Sequence, residues 1–343
     1  MPSLSRRRLL AGATTMAAAS AIGAQVRPAS AQDLQKISIA LDWYPNANHA
    51  GLFLAQERGY FAAAGVQVEL YTPSDPTVVL QTVGAGRDDF GISYQTDVLL
   101  ARAQAVPVVS VAALVQHPLM GVMALESSGI ARPADLVGKT VGYPGIPSQQ
   151  AFLTTMMASD GAAIDDLDLI NVDFNLVPAV ISGQTDAVMG AYWTHETILA
   201  EQEGYPVTMM RVEDWGVPDY YELVLVTNEA KIAAEPDTIG AVLGAIEHGY
   251  LDALNEPDAA IAAMKRAYPE LDDEVERLGI GLLSGVWLDP QGRYGVQSPA
   301  RWTDYAAWMK ASALIPADLD ELAAFDATLL PEPETTASPV AGP

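Results

Sequence analysis

The 343-residue chain contains no cysteine. This excludes disulfides, thiolate metal sites, thiol nucleophiles and a lipid anchor carried on cysteine. Histidine is scarce, with four in all, and no pair has the spacing of a metal site. No Ser/His/Asp arrangement of familiar spacing points to a hydrolase. Basic residues are few: 18 Lys and Arg stand against 43 Asp and Glu, a formal net charge of −25. A surface this acidic repels nucleic acid and anionic membrane, so neither is expected as a partner. There is no internal repeat. The one mildly apolar run, from Ala11 to Val26, falls short of the ~20 apolar residues that span a bilayer.

What is present begins with an export pattern. Ser5-Arg6-Arg7-Arg8-Leu9-Leu10 precedes that weakly hydrophobic run, and Ala29-Ser30-Ala31 ends it as a small-x-small cleavage site. Paired arginines before so soft a core resemble a twin-arginine signal, and the periplasm is the expected destination. Cutting after Ala31 leaves 312 of the 343 residues. The 18 basic residues then lose four arginines, and 14 against 43 acids give −29 for the mature chain.

Beyond the leader, short apolar runs rich in β-branched residues alternate with helical patterns, many closed by Gly. Strands are expected at Lys36–Leu41, Val66–Tyr71, Phe90–Ser93, Val108–Leu114, Met120–Leu125, Thr140–Tyr143, Leu169–Val172, Ala187–Gly190 and Leu223–Thr227. Helices are expected at Gly51–Ala64, Thr77–Gly84, Thr96–Ala105, Ser148–Ser159 and Val177–Ser182. This alternation implies an α/β fold with mostly parallel sheets, and the length suits two lobes. From Pro236 to Phe325 the pattern turns almost wholly helical, and Pro331–Pro343 reads as a disordered tail.

The richest segment is Leu41-Asp42-Trp43-Tyr44-Pro45-Asn46-Ala47-Asn48-His49. It lies between a strand and a helix, where backbone N–H groups and side chains face open space beyond the sheet. An acid, an indole, a phenol, amides and an imidazole there can hold a flat polar heterocycle. Together with Gly59-Tyr60-Phe61, Asp88-Asp89-Phe90-Gly91-Ile92-Ser93, Asp135-Leu136-Val137-Gly138-Lys139 and Gly190-Ala191-Tyr192-Trp193-Thr194-His195-Glu196, it resembles one family. These are the substrate-binding proteins of ABC importers in the thiamine-pyrimidine group, relatives of the hydroxymethylpyrimidine phosphate synthases. The likeness runs from about Lys36 to Leu330.

The resemblance implies a two-lobed periplasmic-binding-protein fold of type II, with two mixed sheets, flanking helices and a hinge of two crossings. It places lobe one at residues 32–124 and 223–330 and lobe two at 125–222, with crossings near Met123–Ser127 and Glu222–Asn228. It implies a monomer without cofactor or metal that captures a small heterocycle and delivers it to the permease and ATPase subunits of an importer. A riboflavin-like cargo is the alternative. Nitrate and sulfonates need donors or positive charge, which an acidic, aromatic cleft does not offer. The synthases are expected to need a lysine just after the strand ending at Ser93, a histidine four residues on and a cysteine-rich motif near the second crossing. This chain has Tyr94, Val98 and Val217-Pro218-Asp219-Tyr220-Tyr221-Glu222 in those places.

The expected ligand residues follow. Trp43 and Tyr44 either stack on the ring or pack beneath the lobe. Asp42 and Asn46 can read ring nitrogens and amino groups, although Asn46 also suits a turn or cap. His49 either caps the first helix or touches ligand. Tyr94, Tyr192 and Trp193 emerge at strand ends. Glu196 starts a helix, where a carboxylate suits both an aminopyrimidine and the helix dipole. Tyr221 and Glu222 sit at the second crossing, for ligand contact or for hinge packing. Gly142–Ser148 precedes a helix as an anion cradle would, but Pro147 removes a donor and the nearest cation, Lys139, lies across the strand.

Overall fold

A computed structural model describes residues 34–332. The expected leader and residues 333–343 of the expected tail lie outside the described residues. Among those described, no helix is long and apolar enough to cross a membrane.

The strands in chain order are β1 (Gln35–Ala40), β2 (Val66–Tyr71), β3 (Phe90–Ser93), β4 (Val108–Val115), β5 (Met120–Leu125), β6 (Thr140–Tyr143), β7 (Asp168–Asn171), β8 (Ala187–Tyr192), β9 (Val207–Arg211) and β10 (Leu223–Asn228). They form two five-stranded sheets of matching design, ordered β2-β1-β3-β10-β4 and β7-β6-β8-β5-β9. In the first, β1 runs parallel to β2, from Gln35 opposite Val66 to Ala40 opposite Tyr71, and parallel to β3. Only β10 is antiparallel to its neighbours. In the second, β5 holds that place between β8 and β9. Each of these two strands follows directly on a crossing from the other sheet, and so enters against the direction of its neighbours.

The helices are α1 (Ala50–Glu57), α2 (Tyr60–Ala63), α3 (Val79–Gly84), α4 (Gln95–Ala103), α5 (Pro147–Ser159), α6 (Leu176–Ile181), α7 (Glu196–Gln202), α8 (Glu229–Ala234), α9 (Pro236–Asn255), α10 (Pro257–Ala267), α11 (Asp273–Leu283) and α12 (Pro299–Ala311). The single helix expected over 51–64 is broken at Gly59, whose φ of +74° is a left-handed turn open to glycine at little cost. Strands β4, β8 and β10 are buried along their whole length, because helices cover both faces of each sheet. Strand β9 was not anticipated. It is an edge strand of intermediate burial, and its Val-Thr-Met-Met-Arg sequence has no clean alternation.

The hinge needs two corrections. Strand β5 pairs on both sides within the second sheet, so the first crossing is the run 116–119 rather than residues near Met123–Ser127. The second crossing is 212–222 rather than Glu222–Asn228, because Leu223–Asn228 is strand β10, already paired on both sides in the first sheet. Beside it, α12 buries Trp302 and Tyr305, and the Tyr305 ring lies 5.3 Å from that of Tyr220 in the crossing. Tyr220 in turn lies 5.2 Å from Phe152 of α5. The helical C-terminal third thus packs into the hinge.

Candidate functional site

The carboxyl ends of β1, β3, β6 and β8 converge where the lobes meet, which is where open α/β sheets hold ligands. The slot there is lined by Asp42, Trp43, Asn46, Tyr94, Gln149, Gly190, Tyr192 and Glu196. Only about 10 Å3 of it is open to the centre of a water molecule, far less than an ordinary ligand site, so the slot is shut tight.

Lobe one builds its wall from the turn after β1. His49 Nδ1 accepts the Asn46 backbone N–H at 3.2 Å, so the ring proton sits on Nε2 and is donated to Asp42 Oδ1 at 3.0 Å. The Tyr94 hydroxyl donates to the other oxygen, Oδ2, at 3.2 Å. Asn46 Oδ1 accepts the Asn48 backbone and amide N–H groups, both at 2.9 Å, and so caps the turn. His49 therefore stands behind Asp42 and orients it, without lining the slot. Burial and the neighbouring Asp42 carboxylate raise the Tyr94 phenol well above its usual range.

Lobe two supplies Tyr192, Glu196 and Gln149. Glu196 opens α7 and accepts the Tyr192 backbone N–H on Oε2 at 2.8 Å. No side chain among the described residues donates to it, and burial pushes its carboxyl up to about 7. The Tyr192 hydroxyl donates to Glu222 Oε1 at 3.1 Å. Gln149, 2 % exposed on the first turn of α5, keeps a buried Oε1 without a hydrogen-bond partner. It lies over Gly190, where a Cβ would come within 2.5 Å of its amide nitrogen and the φ of +101° itself favours glycine. Among the described residues no Lys or Arg lines the slot.

Six of the eleven expected ligand residues meet at the slot: Asp42, Trp43, Asn46, Tyr94, Tyr192 and Glu196. Five do not. Tyr44 is 56 % exposed and packs on Phe174 of lobe two, ring centroids 4.5 Å apart. His49 is the orienting group already described. Trp193 follows Tyr192 and so faces the other way; its Nε1 donates to the Pro118 carbonyl and Arg211 caps its ring at 4.8 Å. The Tyr221 hydroxyl accepts the Ser298 N–H at 2.7 Å, and the Arg301 guanidinium covers its ring at 4.0 Å. Glu222 is fully buried and spent on the hinge. Its Oε2 accepts from Leu119 N–H at 2.6 Å, Met120 N–H at 3.2 Å and the Tyr220 hydroxyl at 2.9 Å, tying the two crossings together. Burial, opposed by those bonds, holds its carboxyl up at about 7.

Gln149 was missed, although the helix start that carries it stood out in the sequence. The anion cradle considered there is filled from within the protein: Asp97 of α4 accepts the Ser148 hydroxyl at 2.5 Å and its N–H at 3.3 Å, across the lobes. Burial raises the Asp97 carboxyl to about 6. A second bridge between lobes is aromatic, with the Phe174 ring edge-on to Trp43 at 4.6 Å. The lobes are therefore closed on one another.

The architecture is that of periplasmic binding proteins. The alkanesulfonate-binding protein of Xanthomonas axonopodis pv. citri superposes with a TM-score of 0.67 at 15% identity, covering 85% of this chain and 98% of its own. The nitrate-binding protein of Synechocystis gives 0.62 at 14%, covering 85% of each chain. Within that fold, residues 46–260 match the model of the NMT1/THI5-like family, and the chain belongs to that family. It is 38% identical over 282 residues to a formylaminopyrimidine-binding protein of Halalkalibacterium halodurans, covering 81% of this chain and 86% of the relative. It is also 30% identical over 231 residues to a 4-amino-5-hydroxymethyl-2-methylpyrimidine phosphate synthase of Schizosaccharomyces pombe, covering 65% and 66%. Family and fold together support a solute-binding role.

Proposed function

We propose that the protein is the solute-binding component of an ABC importer that captures a thiamine-precursor pyrimidine, formyl-aminomethylpyrimidine or hydroxymethylpyrimidine, in the periplasm. The observation that carries this reading is the Glu196 carboxyl, buried at the slot without a cation. A 4-aminopyrimidine presents an N–H donor beside a ring-nitrogen acceptor. A carboxyl held near 7 can meet both, as acid and acceptor, at no net cost in charge. Asp42 and the unpartnered Gln149 amide supply further polar contacts, and the indole of Trp43 a face for the ring. Such stacking adds ~1 kcal/mol beyond burial, and each polar contact nets ~1 kcal/mol or more.

Capture proceeds by closure. The slot in the closed form is too tight for entry, so ligand binds an open form and shifts the population to the closed one, which docks on the permease. Among the described residues no lysine lines the slot to hold an aldehyde cofactor, and Tyr94 occupies the strand end where the synthases are expected to carry one. We therefore read the protein as a carrier and not an enzyme. The 38% identical relative's name supports the same cargo.

The test is calorimetric titration of residues 32–343 with formyl-aminomethylpyrimidine, hydroxymethylpyrimidine, thiamine, riboflavin, taurine and nitrate. Binding of one pyrimidine near micromolar, weakened roughly 10- to 100-fold in Glu196→Gln, is expected. Binding of riboflavin alone would overturn the ligand, and binding of an anion alone the electrostatic argument.

A further inference from the structure

Tyr94 has a cavity on each side. One is the ligand slot. The other, of about 130 Å3, is lined from lobe one by Thr77, Gln81, Ser93 and Asp97 and from lobe two by Ile146 and Pro147. Tyr94 lines both. On the same measure, the space open to the centre of a water molecule, the slot has only about 10 Å3. The second cavity is thus the roomier, and residues of both lobes line it. Its lining carries hydroxyls, amides, aliphatic groups and the Asp97 carboxyl, already bonded to Ser148; among the described residues it has no cation and no aromatic ring besides Tyr94 itself. That chemistry suits a short uncharged polar chain and offers nothing for a second aromatic ring to stack on.

The partition is held in place by one polar bond. The tyrosine stands in extended backbone just before α4, 6 % exposed, with its hydroxyl on Asp42 Oδ2 at 3.2 Å. Tyr94 is the one residue that lines both cavities. We propose that Tyr94 is the size-limiting wall of the site: it confines the ligand to one ring with a short substituent, and the space behind it receives a longer uncharged acyl or hydroxyalkyl substituent when the wall is removed. This rests on the pyrimidine reading for the choice of ligand, but the wall itself is a matter of volume.

The experiment compares 4-amino-5-aminomethyl-2-methylpyrimidine carrying an N-formyl or an N-pentanoyl group, titrated calorimetrically into the wild-type protein, Tyr94→Phe and Tyr94→Ala. Wild type is expected to bind the pentanoyl compound at least 30-fold more weakly than the formyl one. Tyr94→Phe keeps the ring and should keep that ratio, even if both affinities fall with loss of the bond to Asp42. Tyr94→Ala should bring the ratio within threefold. An unchanged ratio in Tyr94→Ala, or equal binding of both by wild type, overturns the wall and leaves the ligand class standing. Should the alanine variant not fold, Tyr94→Leu is expected to give an intermediate ratio, and a wild-type ratio there would count against the wall. Should neither pyrimidine bind any variant, the ligand class falls. The wall is then judged from a crystal structure of Tyr94→Ala, which should show one continuous cavity and overturns the proposal if it shows two.

Discussion

Replacing Glu196 with Gln should make the closed form of the protein, in which this carboxyl is buried, more stable at pH 8 while impairing binding. The carboxyl is buried with backbone N–H donors only and lies near Asp42, and burial raises its proton affinity from the ordinary 4.5 to about 7. The folded state therefore binds this proton more tightly than the unfolded chain does. Stability is unaffected by the group below about pH 4.5, where both states are protonated. It falls as pH rises through 4.5 to 7, and the full penalty is present above that window. A rise of this size corresponds to about 3 kcal/mol of penalty at pH 8. Glutamine cannot ionise, and its oxygen still accepts the Tyr192 N–H. The variant should thus gain most of that energy at pH 8, about 4–6 °C in melting midpoint for a chain this large, and nothing at pH 4.5. Differential scanning calorimetry of both proteins from pH 4.5 to 8.5 at constant ionic strength reads the difference directly. A variant that is less stable at pH 8, by an amount independent of pH, would show that Glu196 is not held in a desolvated site.

Two further outcomes concern closure. Phe174→Ala removes ring contacts to Trp43 and Tyr44 that exist only when the lobes meet, each worth ~0.5–1.5 kcal/mol beyond buried area. Ligand dissociation, followed by stopped-flow tryptophan fluorescence, should speed up about tenfold with association little changed. Asp97→Ala leaves the Ser148 hydroxyl and N–H without their partner at the start of α5, a loss of ~1–2 kcal/mol confined to the closed form. Titration calorimetry should show affinity falling roughly 5- to 30-fold, with Asp97→Asn retaining most of it because one oxygen remains; equal losses in both variants would mean that the charge and not the cap matters.

Much of the fold was legible because short β-branched runs between turn residues are hard to form as anything else. Strands 66–71, 90–93, 120–125 and 140–143 have the expected bounds. What could not be read was the sheet each strand joins. Strands β4 and β5 are both continuous apolar runs buried on two faces, and nothing in their period tells one lobe from the other. The first crossing was therefore placed too late. At the site, residue types at strand ends were informative and residue directions were not. Tyr192 and Trp193 are neighbours of similar chemistry, yet one faces the slot and the next lies under Arg211. Tyr221 and Glu222 looked like ligand groups because their true partners, Ser298, Arg301, Leu119 and Tyr192, lie 30 to 103 positions away in the chain.

The proposal of an uncharged cargo rests on the site and not on the fold. Two proteins whose names give nitrate and alkanesulfonate as cargo share this architecture at 14–15% identity, so the scaffold alone does not choose a ligand. In this chain the choice is made by what occupies the places an anion would take. The start of α5, with N–H groups facing the cleft, is answered by Asp97, and the slot itself holds Asp42 and Glu196 with no cation beside them. An incoming anion would have to displace one carboxylate and lie against two more. A neutral heterocycle bearing N–H groups meets instead the acceptors that the empty slot leaves under-used, and relieves part of the penalty of burying them. Under the proposed function, part of the cost of burying Glu196 is recovered on binding by a ligand that hydrogen-bonds to it.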